Sequence, residues 1–519
     1  MKEKRENKLD KLTKGAFVLT AATLAVKLLG LIYKIPLSYI LSAEGLGYFN
    51  TAYTVYSLFY VISVSGVPKA MSILVPSEEG NEKGYSLYKA AHRAFLMIGA
   101  GLSLFLLIFS FSASKIIGSP DAAFSLIAIA PSILFTAALG VMRGYLNAIL
   151  CHNEIAVSHV LEALVKLVFG IALSYIGVKL SLDVKYSAAL GIFGVTLGSL
   201  ITYIYLLICK KSRKAGETTG QSAAKCVLKR VLRISFPIAI SAFVMSISGL
   251  IDLLLVIRRL TDTGLSSEEA TAIFGSYTTF VVPMVTLANA MISPVAISFI
   301  PFITAAYKNK DSSELSLHIK RSYKMCAFIS VPIFFGLSFF SYDVLSFLFS
   351  DGSAGECAEL LSFSAPGVLL ITFFTVTATN LEACGALKAP IFAVLLGSAS
   401  KIIIGYFLIG SECGIFGASA GTVICYLVAS MVALVYFRIK IGSFPPIITS
   451  YVSAFIKSLV MVGATSVTYK FFDFTRGGAS SGAFIILFSA SIYFGLSFIE
   501  VLVTRNGIIH RQNAQKCTI

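Results

Sequence analysis

Six lysines interrupt apolar stretches of this sequence: Lys27, Lys34, Lys69, Lys166, Lys401 and Lys457. A charge near the centre of a bilayer costs at least about 2.5–3.5 kcal/mol on insertion scales, so each needs a reason to be there. Lys27 and Lys34 are seven residues apart. On an α-helix seven steps return to nearly the same face, roughly 10 Å further along. Lys34 lies near the outer end of its stretch, where an ammonium can snorkel to the interface. Lys27 lies mid-stretch and reads as lining a wet cavity. Lys166 follows Glu162 by one turn, the order that favours an ion pair, with the cavity as its alternative. Lys401 has no acid at 397 or 405, which strengthens the cavity reading for it. Lys69 directly follows Pro68, and Lys457 reads as peripheral. Mid-stretch acids are fewer: Asp252, Glu162 and Glu382. Asp252 and Glu162 are candidates for a coupling-ion site or for counter-ions to the lysines. A cavity with excess positive charge selects an anion, phosphate in particular. The candidate head-group contacts are therefore Lys27, Lys34, Lys69, Lys166 and Lys401.

Other chemistry is not suggested. The 9 cysteines stand singly and the 5 histidines show no ligand spacing, so neither a disulfide framework, a metal site nor a cofactor is expected. No nucleophile–base constellation and no GxxxxGK[ST] segment occurs, which argues against an enzyme and against ATP-driven transport.

The elements that must hold these lysines are membrane helices. The chain has 519 residues, 56% hydrophobic and 13% charged, with mean hydropathy +0.84. Apolar runs of about 20 residues recur from end to end, which predicts an all-α polytopic membrane protein. Fourteen spans are expected, at about 15–41, 46–75, 88–113, 121–150, 155–178, 186–209, 234–257, 272–304, 322–348, 358–384, 389–410, 414–437, 447–471 and 481–503. The first run is too long for a signal peptide and lacks a small-residue cleavage site, so it reads as a retained span. With the N-terminus inside, 29 Lys and Arg fall in cytoplasmic segments, Arg143 among them, against 7 outside. That bias predicts cytoplasmic termini. It also accounts for the net charge of +16 without a nucleic-acid partner.

Three motifs recur in chain order. "PKAMS" at 68–72 returns as "PVAIS" at 294–298, "KLVFGIALSYIG" at 166–177 as "KIIIGYFLIG" at 401–410, and "GIFGVTLG" at 191–198 as "GIFGASAG" at 414–421. They pair Lys166 with Lys401 and Gly170 with Gly405, and argue for duplicated six-helix halves. The expected division is a first lobe at 1–209, a basic cytoplasmic linker at 210–233, a second lobe at 234–438, and spans 13 and 14 with a cytoplasmic tail at 439–519. Parallel repeats of this kind place substrate between the halves and alternate access by rocking. Pro68 and Pro294 are expected helix breaks at matching points. The repeated glycines are read as helix packing.

"KLLGLIYKIPLSYILSAEGLGYFNTAY", "SGVPKAMSILV" and "RGYLNA" resemble the stage V sporulation protein B-like branch of polysaccharide transporters. That branch lies within the multidrug/oligosaccharidyl-lipid/polysaccharide exporter superfamily. The resemblance covers essentially the whole chain. It implies two six-helix lobes around a V-shaped cavity in the bacterial cytoplasmic membrane. It also implies export or flipping of undecaprenyl-pyrophosphate-linked sugars, with spore cortex synthesis as a setting. The implied partners are a lipid-linked oligosaccharide substrate, membrane lipid and cell-wall synthesis enzymes. Lipid II flippases of this superfamily carry a basic residue, then Leu-Gly, then Arg-Asp in span 1. Lys27, Leu29 and Gly30 match the first two features, whereas Tyr33 and Lys34 replace Arg-Asp. The pyrophosphate-binding role therefore carries over to Lys27 alone. The rival functions are a drug/cation antiporter, with Asp252 or Glu162 as its proton or sodium site, and a non-transporting scaffold for a wall-synthesis complex.

Overall fold

The computed structural model describes residues 2–77, 81–211, 224–349, 352–445, 447–471 and 479–516, and all of its regular structure is helical. The order begins with α1 (Lys2–Ile40), α2 (Ala43–Ser77), α3 (Asn81–Ile117), α4 (Ala122–Ala148), α5 (His152–Lys179), α6 (Val184–Lys211), α7 (Ala224–Asp262) and α8 (Ser267–Ser276). A π-helical turn, Tyr277–Val281, leads into α9 (Val282–Lys308). There follow α10 (Ser312–Phe339), α11 (Ser341–Leu348), α12 (Gly352–Ser364), α13 (Pro366–Ala383), α14 (Lys388–Ile409), α15 (Phe416–Ile441), α16 (Ile447–Phe471) and α17 (Ala479–Lys516). Helix is the form that satisfies every backbone N–H and C=O inside one hydrocarbon-embedded segment. Thirteen helical stretches among the described residues are long and apolar enough to cross a membrane. They coincide with all of the expected spans except 234–257, which falls in α7 and lies partly outside the described side chains. Large side chains such as Phe105, Ile108, Phe407 and Ile439 point outward, as lipid-facing residues do.

The chain divides into two compact units, residues 1–279 with 394–421, and 280–393 with 422–519. In the first unit α4 is the enclosed helix, packed against α2, α3 and α6. Close approach depends on small residues. A Cβ on Gly144 of α4 would lie 2.7 Å from the Pro68 Cα of α2, and one on Gly194 of α6 would lie 2.6 Å from the Gly170 Cα of α5. In the second unit α9, α10, α13 and α16 pack together, and α17 packs on α11 and α16. Hydroxyls and amides join these helices: Tyr323 Oη lies 2.7 Å from Thr377 Oγ1, and Thr375 donates to Asn289 Oδ1 at 2.7 Å.

Several expectations need correction. Pro68 and Pro294 do not break their helices: α2 and α9 run through them. Prolines are tolerated inside membrane helices where neighbouring groups satisfy the freed carbonyl, and Pro68 is the surface that Gly144 packs on. The interruption in the span read at 272–304 is the π turn at Tyr277–Val281, just before Pro283. The span read at 322–348 is two helices, α10 ending at Phe339 and α11 beginning at Ser341. α7 begins at Ala224, within the stretch read as linker, and residues 212–223 of that stretch lie outside the described residues.

Candidate functional site

The first unit encloses a cavity of about 120 Å³ among α1, α2, α5 and α6. Each helix reaches it through its own periodicity. α1 contributes Val26, Leu29, Gly30 and Tyr33, one stripe at spacings of three and four. α2 contributes Tyr53, Tyr56 and Tyr60, which continue an aromatic ladder from Phe49 with ring centroids 5.7–6.2 Å apart. α5 contributes His159, Glu162 and Lys166. The spacing Phe49-Tyr53-Tyr56-Tyr60, four-three-four, was legible in the sequence as one aromatic helix face, and the reading by charge passed over it.

Lys166 is held by rings. Its Nζ lies 4.2 Å from the Tyr53 centroid and 5.2 Å from that of Tyr33. Such contacts are worth about 0.5–2 kcal/mol and leave the positive charge in place. Tyr33 Oη in turn donates to the Gly191 carbonyl at 3.3 Å. Glu162 does not pair with Lys166, although the spacing allowed it. Its Oε2 takes Arg143 Nη2 at 2.6 Å, and Arg143 also donates from Nε to Ser158 Oγ at 3.0 Å. Arg143 is 4% exposed and its Nη1 has no hydrogen-bond partner. Counting Arg143 as a cytoplasmic residue is thereby corrected: it lies in α4, turned onto α5. The cavity wall and its backing thus hold two cations, Lys166 and Arg143, against one carboxylate. That surplus suits a small anion supplied with tyrosine hydroxyl donors.

The other predicted residues go elsewhere. Lys34 donates from Nζ to the Thr278 carbonyl at 2.7 Å. In the π register a carbonyl pairs with the N–H five residues on, and for Thr278 that residue is Pro283, which has none. Lys34 fills the vacancy, and Asn50 supports the same turn by donating to Thr279 Oγ1 at 2.8 Å. Lys34 is therefore neither snorkelling nor facing the cavity. Lys401 is 2% exposed and paired with Asp252 at 2.7 Å. Its acid comes from α7, not from its own helix, so Asp252 stands as its counter-ion, one of the two alternatives, and the cavity reading of Lys401 does not hold. Asp252 and Glu162 are both counter-ions. Lys457 pairs with Glu500 of α17 at 2.7 Å, within the extra pair of helices, and does not line the cavity. Lys27 is exposed on α1, one residue off the stripe that lines the cavity, and Lys69 is exposed on α2. The five lysines do not converge on one site; Lys166 is the one that lines the cavity.

The glycines of the recurring motifs lie against the lysines paired with them. A Cβ on Gly198 would lie 3.5 Å from Lys166 Cβ, and one on its repeat mate Gly421 would lie 3.4 Å from Lys401 Cγ.

The family model described as "Polysaccharide biosynthesis protein" matches residues 12–307. Among curated proteins, the chain is 23% identical to "Lipid II flippase MurJ" of Bacillus subtilis (strain 168), covering 93% of both chains. It is 24% identical to "Stage V sporulation protein B" of the same organism, over 87% of this chain and 90% of that one. Among solved structures, a lipid II flippase MurJ in an inward closed conformation matches with a TM-score of 0.68 at 18% identity, covering 94% of this chain and 100% of the other. An inward-facing multidrug resistance MATE family transporter also matches at 0.68, with 17% identity, over 82% of this chain and 98% of the other.

Proposed function

We propose a transport function for this chain, which belongs to the polysaccharide biosynthesis protein family: it moves a lipid-linked, anionic saccharide precursor across the bacterial cytoplasmic membrane. The observation that carries the anionic part is the surplus cation in the cavity, Lys166 held between aromatic rings with Glu162 already taken by Arg143. A diphosphate carries the charge and acceptor oxygens that such a wall recognises, in line with the flippase named among the relatives. In this reading Lys166 contacts the phosphates inside the cavity, and Lys27, exposed one residue off the lining stripe, meets the head group outside it, as the carrier alternates its access between two lobes at 1–209 and 234–438. The charged group is the part of the substrate that the lining of this cavity suits. Both termini face the cytoplasm on the distribution of Lys and Arg, now 28 against 7 because Arg143 leaves the inside count. Spore cortex synthesis is the setting we propose, in keeping with the relative named as a stage V sporulation protein.

A drug/cation antiporter has the same fold in its favour. It requires an acid free to bind a cation or proton, and both candidate acids are paired within the protein. The deciding experiment is complementation of a flippase-depleted bacterium by Lys166→Met and Lys27→Ala variants, with membrane insertion checked by blotting. Loss of growth and accumulation of the lipid-linked intermediate are expected for both. Full complementation by both would overturn the anionic-substrate reading.

A further inference from the structure

The Lys401 ammonium is surrounded like a bound ion. It takes Asp252 Oδ2 at 2.7 Å, Ser248 Oγ at 2.9 Å and the Ser248 carbonyl at 3.5 Å. Carboxylate, hydroxyl and carbonyl oxygens are the donor set that a hard monovalent or divalent cation uses in proteins. A fourth oxygen stands one turn away: Ser398 Oγ is buried, 4% exposed as a residue, and has no hydrogen-bond partner. Positions 398 and 401 share a helix face. α7 thus presents an oxygen-lined cradle with one negative charge, and its occupant is covalently attached to α14, where Ser398 stands by with a free hydroxyl.

We propose that this is a monovalent-cation site of the Na⁺ or Li⁺ class whose resident cation is the protein's own Lys401 ammonium, so that no free ion binds at Asp252 during turnover. The contrast with the first repeat supports the assignment. Lys166, the repeat mate, has aromatic rings where Lys401 has a carboxylate. One lysine keeps its charge for a ligand, and the other spends its charge on the fold. Removing the Lys401 side chain leaves Asp252 unpaired in a low-dielectric interior, a state that a small cation relieves.

The purified protein is melted in chlorides of N-methylglucamine, Na⁺, Li⁺ and K⁺ at fixed ionic strength. The unaltered protein is expected to melt at one temperature in all four. Lys401→Ala is expected to melt lower in N-methylglucamine and to shift upward, saturably, with Na⁺ or Li⁺. Adding Asp252→Asn to Lys401→Ala is expected to abolish that shift. Lys401→Met, which keeps the packing volume, serves as a second variant if the alanine form does not fold. A saturable Na⁺ stabilisation of the unaltered protein that disappears in Asp252→Asn would overturn the proposal. So would a Lys401 variant indifferent to every cation. The consequence for transport rests on the proposed function: flipping in proteoliposomes is expected to survive replacement of Na⁺ by N-methylglucamine. Absence of flipping in every salt, with the melting results intact, would count against the transport reading and leave the cation site standing.

Discussion

Lys166 keeps its charge available because rings, rather than a carboxylate, hold it. Among the described residues, Glu162 on the same helix is engaged by Arg143, and the tyrosines offer their π faces. A charge-assisted bond to phosphate is worth about 1.5–3 kcal/mol, so Lys166→Met should weaken binding of a lipid diphosphate about 10- to 100-fold. Lys166→Arg should keep part of it, with a planar fork in place of a point charge. Titration of the purified variants with an undecaprenyl diphosphate checks both, and equal affinity for Met and Lys would remove Lys166 from the site. The Arg143–Glu162 pair answers to a different measurement. Losing one partner of a buried pair costs about 3–5 kcal/mol, so Glu162→Leu should lower the melting temperature markedly. Arg143→Met with Glu162→Leu should recover much of the loss. A double variant no more stable than the single would show that the pair is not the source of the effect.

At the scale of the element, the π turn and Lys34 form one unit. If Lys34 is present because Pro283 cannot donate, the two positions must couple. Lys34→Met should cost about 1–3 kcal/mol, the penalty of a buried unpaired carbonyl, and clearly less when Pro283→Ala has returned an N–H. A double-mutant cycle on chemical or thermal denaturation measures the coupling, and additive effects would refute it. This dependence also shows where sequence reading stopped. The spans were legible because lipid demands long apolar helices, and the repeat was legible because glycine and lysine recur at matching offsets. The pairings were not. Asp252 and Lys401 are 149 residues apart, and Arg143 and Glu162 sit on successive helices whose rotation is set by packing. The i,i+4 rule named Lys166 as the partner of Glu162, and tertiary packing supplied a better one. A π turn has no hydropathy signature of its own, so the interruption was assigned to Pro294 instead of to the residues before Pro283.

At the scale of the whole molecule, the proposed orientation rests on the distribution of basic residues. Cysteines placed one at a time within 212–224 should be protected from an impermeant reagent in intact cells, and those at 351–355 should be labelled. Labelling of the first group would invert the topology. Two of the internal ion pairs, those of the first unit, have an electrical meaning. A membrane potential does work only on net charge that crosses it, about 2.3 kcal/mol per elementary charge per 100 mV. Arg143 with Glu162, and Lys401 with Asp252, each travel as neutral bodies however their helices move. Voltage therefore has no grip on these four groups, and it acts on the other charges of the spans, Lys166 and Lys34 among them, and on whatever charge the cargo brings. A carrier wired in this way changes its response to the field with its load: a doubly charged head group subtracts two elementary charges from whatever the empty carrier moves.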